Sequence, residues 1–167
     1  MDPVRRAAGQ YSAVRGLGRI VSGGQAGVDR AALDAAIEAG VPHGGWCPAG
    51  RWAEDGPIPL RYHLRETPSP DARDRTIRNV RDSDATLILL RGAPSGGTAD
   101  AIGDAARLGK PVRRVDLRSD PDPQAVREWI ESVGASCLNV VGPRESESPG
   151  IYAAAHSFLR AVFSGVT

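Results

Sequence analysis

Three glycine-rich turns, each between an apolar run and a helix-like segment, constrain the fold of this chain more than any other feature. They cover residues 23–27 (GGQAG), 92–98 (GAPSGGT) and 142–146 (GPRES). In parallel α/β sheets, ligands bind beyond the carboxyl ends of the strands, where such turns lie. Glycine lets the backbone approach a ligand closely, and the unpaired N–H groups of a helix start attract anions. The turns therefore predict a site for a phosphate-bearing, nucleotide-like ligand.

Strand-like and helix-like segments alternate along the chain from Arg19 onward. Apolar runs at 19–22, 44–47, 85–90, 112–117 and 137–141 predict five strands. Helical spacing predicts five helices, over 26–39, 71–81, 96–109, 122–133 and 150–163. The run 85–90 is continuously apolar, as expected of a strand that is covered on both faces. This alternation predicts an α/β fold with a Rossmann-like, doubly wound parallel sheet in three layers.

Length and charge limit the domain organisation and the classes of partner. A chain of 167 residues predicts one ligand-binding domain over residues 19–167, after a flexible N-terminal tail at 1–18. The net charge of +1 gives no basis for nucleic-acid or membrane attraction. Cys47 and Cys137 lack metal-ligand spacing, so free thiols and a cytoplasmic location are expected. No cluster of His, Cys and carboxylates predicts a protein-ligated metal.

The first turn excludes two common phosphate-binding motifs. Residues 23–30 (GGQAGVDR) have neither the Lys-Ser/Thr pair of a Walker A loop nor the GxGxxG spacing. Ser22 precedes these glycines but lies in no GxSxG elbow, which argues against a serine hydrolase. P-loop hydrolases and ordinary NAD dehydrogenases are therefore poor interpretations.

Several separate motifs together resemble one known family. They are residues 22–34 (SGGQAGVDRAALD), 44–48 (GGWCP), 53–57 (AEDGP), 79–84 (NVRDSD), 139–146 (NVVGPRES) and 149–152 (PGIY). The resemblance is to the molybdenum-cofactor carrier family, also described as the circularly permuted YpsA-like branch of the SLOG superfamily. It implies a Rossmann-like fold, a nucleotide or molybdopterin-type ligand such as the molybdenum cofactor, and a homo-oligomer. Any molybdenum would arrive within that cofactor.

The resemblance also implies a strand order. Lysine-decarboxylase-like SLOG proteins begin with a strand that ends in a Gly-Ser phosphate loop, and here that element looks like residues 138–146. The fifth strand would then lie between the first and the third, giving the order 2-1-5-3-4. This order brings all three glycine-rich turns to one pocket, whereas a sequential order would leave the third turn at a far edge.

The predicted ligand-binding residues come from the turns, the helix starts and the helix at 71–81. Arg144 presents a fork of donors for phosphate oxygens, and Thr98 offers a hydroxyl. Asp29 has two open interpretations: it complements the helix dipole or binds a ribose or pterin hydroxyl. Arg75 and Asn79 share one helical face. The full set is Ser22, Gly23, Gly24, Gln25, Gly27, Asp29, Arg30, Arg75, Asn79, Gly96, Gly97, Thr98, Gly142, Pro143, Arg144, Glu145 and Ser146.

An enzymatic alternative comes from the same superfamily. Phosphoribohydrolases that resemble lysine decarboxylases release the base of a nucleoside monophosphate with a PGGxGTxxE motif. Residues 94–102 (PSGGTADAI) resemble the start of this motif but lack its glutamate. The carboxylate that such chemistry needs would have to be Glu54, Asp55 or Asp100. We therefore expect a non-enzymatic binding protein, with N-glycosidic hydrolysis as the alternative.

Overall fold

The computed structural model describes residues 14–164. Its strands are β1 (Arg19–Val21), β2 (His43–Gly44), β3 (Trp46–Cys47), β4 (Trp52–Ala53), β5 (Gly56–Pro57), β6 (Arg65–Glu66), β7 (Ala85–Leu90), β8 (Val112–Asp116) and β9 (Cys137–Val141). Its α-helices are α1 (Val28–Ala39), α2 (Ala72–Arg81), α3 (Gly96–Arg107), α4 (Pro123–Ser132) and α5 (Ile151–Ser164), and residues Leu117–Ser119 form a 3₁₀ turn. The α/β alternation predicted from the sequence is confirmed.

The main sheet has five parallel strands in the order β2-β1-β9-β7-β8. Numbered among themselves, these strands follow the predicted order 2-1-5-3-4. The detail differs because the predicted second strand, residues 44–47, also contains β3, and because three short strands, β4 to β6, lie where no strand was predicted. Strand β9 pairs with β1 on one side and with β7 on the other. The turns that follow β1, β7 and β9 are therefore neighbours.

Helices cover both faces of the sheet. Strand β7 shows why, because its alternate side chains join different clusters: Leu87 and Leu89 pack with α1, α4 and α5, whereas Ile88 and Leu90 pack with α2 and α3. All six residues of β7 are buried. This is the three-layer arrangement that a continuously apolar strand predicts.

The predicted second strand, residues 44–47, is wrong in extent. Gly45 has a φ of +123°, which breaks the run into β2 and β3. Strand β2 pairs with β1, whereas β3 turns away and pairs with β6 in a separate two-stranded ribbon. Strands β4 and β5 form a hairpin whose turn is residues 54–55. The segment between β2 and α2 is thus built of small ribbons.

The helix ends follow their local sequences. The side chain of Asp71 accepts a hydrogen bond from the backbone N–H of Arg73 and begins α2, and Asp122 does the same for α4. Gly40, in the left-handed region at φ +71°, ends α1. The apolar arc of α5 is buried within this chain, so it supplies no evidence for a partner copy. Homo-oligomer formation remains a prediction.

The predicted N-terminal tail falls partly outside the described residues. Residues 1–13 lie there, whereas Val14 and Leu17 are buried in the core. In the described part of the chain, no helix is both long and apolar enough to cross a membrane. Both cysteines are free; Cys47 is buried and Cys137 is partly buried.

Candidate functional site

The three glycine-rich turns meet at one depression, which we call the central cleft. Its volume is about 260 Å³, near the lower end of the roughly 300–1,000 Å³ typical of small-molecule sites. The lining residues are Gln25, Asp29, Trp52, Asp71, Ala72, Arg73, Arg75, Thr76, Gly97, Thr98, Asp100, Val141, Gly142, Arg144 and Glu147. Each glycine-rich turn contributes to this set. The central position of β9 makes that possible.

The start of α3 is open toward the central cleft. Ser95, at the N-cap, makes no side-chain capping hydrogen bond. A Cβ added at Gly97 would meet no atom within 4 Å, so this position faces open space. Thr98 is 4% exposed and still lines the central cleft. An uncapped helix start beside a small residue is suited to an anion.

Arg75 faces the same space and is incompletely paired. Its Nη1 lies 3.4 Å from Oδ2 of Asp29, and its buried Nε has no hydrogen-bond partner. Burial raises the pKa of Asp29 above its usual value, and the nearby Arg75 charge partly offsets that rise. Asp29 also accepts a hydrogen bond from the backbone N–H of Gln25. Asp29 therefore holds both the first turn and the Arg75 guanidinium.

The two other arginines of the central cleft are committed to carboxylates. Arg73 donates from both terminal nitrogens to Asp104, which is 2% exposed. Arg144 donates its Nε–H to Glu147 at 3.0 Å. Arg144 is 45% exposed, so water can meet its other donors, whereas Arg75 is 13% exposed and keeps a buried Nε–H without a partner.

The third glycine-rich turn is occupied by carboxylates of the protein itself. Glu145 accepts hydrogen bonds from the backbone N–H groups of Gly150 and Tyr152, so it caps the start of α5. Ser146 donates its backbone N–H and its hydroxyl to the two oxygens of Glu54, at 3.1 and 2.5 Å. Three open helix starts were expected to converge on a ligand, but the α5 start is filled.

A second cavity, of about 760 Å³, lies against the other side of the first and third turns. Its wall includes Asp34, whose carboxylate accepts hydrogen bonds from the hydroxyls of Tyr62 and Tyr152 at 2.6 and 2.5 Å. Burial, reinforced by Asp34, raises the pKa of both tyrosines. The lining residues are Ala26, Gly27, Arg30, Asp34, Glu54, Asp55, Arg61, Tyr62, Glu145, Ser146, Tyr152 and Ala153. Predicted residues are therefore divided between two cavities.

Asn79, which the spacing places on one helical face with Arg75, is not among the lining residues of the central cleft. Its side-chain amide accepts from the backbone N–H of Trp46 and donates to the Trp46 carbonyl, at 2.8 and 3.0 Å. This two-point contact fixes β3 against α2. A small cavity of about 70 Å³ adjoins it.

A further group of predicted residues holds the turns in shape. The Ser22 hydroxyl donates to the Val140 carbonyl at 2.8 Å, and the Pro143 carbonyl accepts from the Val28 N–H at 3.2 Å. A side chain at Gly24 would collide with Leu64. The other members are Gly23, where a Cβ would overlap the Arg75 guanidinium, and Gly96, which has a positive φ of +52°.

The structure adds lining residues that the sequence analysis missed. Trp52, Asp71, Arg73, Thr76 and Glu147 all line the central cleft. Trp52 lies on β4, a strand of two residues that has no detectable periodicity. Asp71, Arg73 and Thr76 lie at the start of α2, as Arg75 does. Their nearness to Arg75 in the sequence could have identified them.

The three candidate catalytic carboxylates do not lie together. Asp100 lines the central cleft, whereas Glu54 and Asp55 line the second cavity. Asp55 forms a bidentate ion pair with Arg30, at 3.0 and 3.1 Å. Among residues 14–164, no group of three or more His, Cys, Asp or Glu side chains is placed to hold a metal ion.

Comparisons with known proteins agree with this architecture. A family model described as "Circularly permutated YpsA SLOG family" matches residues 20–163. A solved structure, of a "Putative molybdenum carrier protein" from Syntrophus aciditrophicus SB, is 40% identical to this chain. The match covers 88% of this chain and 95% of that one, with a TM-score of 0.84. No curated protein matches.

Proposed function

Because this chain belongs to the circularly permuted YpsA SLOG family, we propose that it binds and carries a phosphate-bearing, nucleotide-like ligand in the central cleft. The molybdenum cofactor, which joins a pterin to a phosphate, is the cargo we propose. The name given to the 40%-identical solved structure supports this choice. The protein would bind the cofactor and shield it from solvent, without changing it chemically.

The single observation that carries the proposal is the unpaired Arg75 Nε. A buried donor without a partner costs roughly 1–3 kcal/mol, and this one belongs to a guanidinium that lines the central cleft. Its side chain is 13% exposed, so water offers little compensation. An anionic ligand in the central cleft would pair with the Arg75 guanidinium, which meets Asp29 through a single terminal nitrogen. The uncapped start of α3 lines the same space and would favour the same charge.

The residues present suit the phosphate end of such a cofactor. Gly97 leaves open space at the helix start, and the Thr98 hydroxyl offers a donor beside it. A phosphate contacted by backbone N–H groups and a guanidinium is a common arrangement. The protein would thus hold its cargo by the phosphate.

The hydrolase alternative has one observation in its favour. Asp100 lines the central cleft, where it would face the sugar of a bound nucleotide. However, Glu54 and Asp55, the other two candidate carboxylates, form internal hydrogen bonds and line the second cavity. We therefore favour binding without turnover.

Calorimetric titration with AMP, ADP-ribose and a phosphorylated pterin tests this function. We expect Gly97→Val to fill the space at the α3 start and to weaken binding at least tenfold. Arg75→Gln removes charge-assisted hydrogen bonds worth roughly 1.5–3 kcal/mol, a loss of about tenfold to a hundredfold in affinity.

Matched controls separate binding from folding. Gly103→Val changes the same helix where the added atoms approach only the end of Arg107. Arg78→Gln removes a guanidinium of α2 that is paired with Asp74. Both controls should bind as the wild type does. Unchanged affinity in Gly97→Val and Arg75→Gln would contradict the proposed site, and release of adenine from AMP would favour hydrolysis.

A further inference from the structure

Trp52 is an aromatic side chain with an unusual position. It is 39% exposed and lines the central cleft. The other two tryptophans have partners within the protein: the guanidiniums of Arg65 and Arg78 lie against the Trp46 ring, and Trp129 packs against the core. A partly exposed indole beside a polar cleft leaves apolar surface for a ligand.

The indole of Trp52 is already fixed in place. Its Nε1–H donates to the Pro70 carbonyl at 3.0 Å, and its strand β4 pairs with β5. The neighbouring Glu54 is held at both its backbone and its carboxylate, by Gln25 and Ser146. A ligand that contacts this ring would not have to order it, which favours binding.

The volume of the central cleft suggests which part of a ligand meets Trp52. About 260 Å³ is near the lower end of the range for small-molecule sites, so a ligand with a phosphate, a sugar and a ring system would contact most of the lining. With the anionic end at Arg75 and Gly97, the rest of the ligand would contact the other lining residues. Trp52 is the aromatic side chain among the lining residues.

We propose that Trp52 is the stacking platform for the planar heterocycle of the ligand. The site thereby selects phosphorylated ligands that carry a ring, such as a purine or a pterin, over simple sugar phosphates. This inference rests on the proposed function, since it assumes that the anionic end binds in the central cleft. Every heterocycle of this kind has a π-face. Contact with Trp52 therefore favours ligands that carry an aromatic ring but does not distinguish one base from another.

Three probes test the inference: AMP and a phosphorylated pterin, which carry a ring, and ribose 5-phosphate, which lacks one. Calorimetry should show both ring-bearing probes binding wild type about tenfold more tightly than ribose 5-phosphate. In Trp52→Leu this preference should vanish while the affinity for ribose 5-phosphate stays the same. Tryptophan fluorescence should be quenched by AMP in wild type and in the control Trp46→Phe, but not in Trp52→Leu.

The outcomes separate this inference from the proposed function. Equal binding of AMP and ribose 5-phosphate to wild type would overturn the stacking role alone. An equal loss of affinity for both probes in Trp52→Leu would also overturn it, because that result indicates a merely structural tryptophan. If none of the three probes binds wild type, the proposed function fails, and the inference fails with it.

Discussion

The contact between Glu54 and Ser146 predicts that removing one carboxylate will strengthen anion binding. Glu54 takes both donors that Ser146 offers, and its Oε2 lies 4.0 Å from the Arg144 Nε. A phosphate in the central cleft would compete with Glu54 for the Arg144 guanidinium, which lines that cleft, and would be repelled by the Glu54 charge. Replacement by glutamine keeps the shape and one acceptor oxygen but removes that charge.

The size of the effect follows from distance and exposure. Two unit charges 4 Å apart interact by about 1 kcal/mol in water and by about 4 kcal/mol near a protein surface. Glu54 is 21% exposed and Arg144 is 45% exposed, so solvent screens the pair toward the lower value. In Glu54→Gln we expect the affinity for AMP to rise about fivefold, since about 1.4 kcal/mol corresponds to tenfold. The free energy of unfolding should fall by about 1 kcal/mol, because a charged hydrogen bond becomes a neutral one.

The assay is calorimetric titration with AMP at low and at high salt, because screening should shrink the gain. Asp55→Asn is the matched control, since the neighbouring carboxylate lines the same second cavity but pairs with Arg30 instead of meeting Ser146 and Arg144. That variant should bind AMP as wild type does. If Glu54→Gln binds AMP more weakly than wild type, Glu54 assists the ligand instead of competing with it, and this reasoning is refuted.

Three further predictions concern stability. In Gly142→Ala, the added Cβ would overlap a neighbouring strand, so we expect thermal unfolding to show a loss of about 1–3 kcal/mol; Gly97→Ala, which meets no atom within 4 Å, should show none. In Tyr152→Phe, the Asp34 carboxylate loses a donor, and urea unfolding should report a loss of about 1–2 kcal/mol. A hydrogen bond with a neighbouring arginine is the main reason that the pKa of Asp82 is lowered from its usual value of 3.8 to about 2. The ionised Asp82 therefore stabilises the folded state above pH 3.8, and this stabilisation is lost as the pH falls toward 2. Urea unfolding from pH 7 to pH 2 should therefore show Asp82→Asn less stable than wild type at neutral pH and equal to it at pH 2; a constant difference would contradict the assignment.

The main sheet was predictable because its signals are long or repeated. Strand β7 is a continuous apolar run, and Gly40 and Asp122 mark helix ends in the sequence. The order of the strands depended on family resemblance and on the need to gather the turns, which periodicity alone does not provide. The small ribbons were missed because strands of two residues, such as β4, have no period to detect.

The sequence predicted where the candidate site lies but not which contacts its side chains make. The glycine-rich turns indicated where a ligand would bind, but the partners of each polar side chain depend on distant segments. Ser146 meets Glu54, which is 92 residues away in the sequence. Asn79 binds the Trp46 backbone for the same reason. The sequence of a turn does not show whether its polar residues bind a ligand or another loop.

The central position of β9 affects the way this protein is synthesised. Strands β1 and β7 both pair with β9, which is translated after all the other strands of the main sheet. Until residues 137–141 leave the ribosome, the main sheet can form only as two separate strand pairs, β2–β1 and β7–β8. The edges of β1 and β7 that later pair with β9 then expose unpaired backbone groups. Such edges attract other strands, and pairing between distant segments is slow. Slow translation before β9 should therefore lower the yield of folded protein, even when the completed chain is stable.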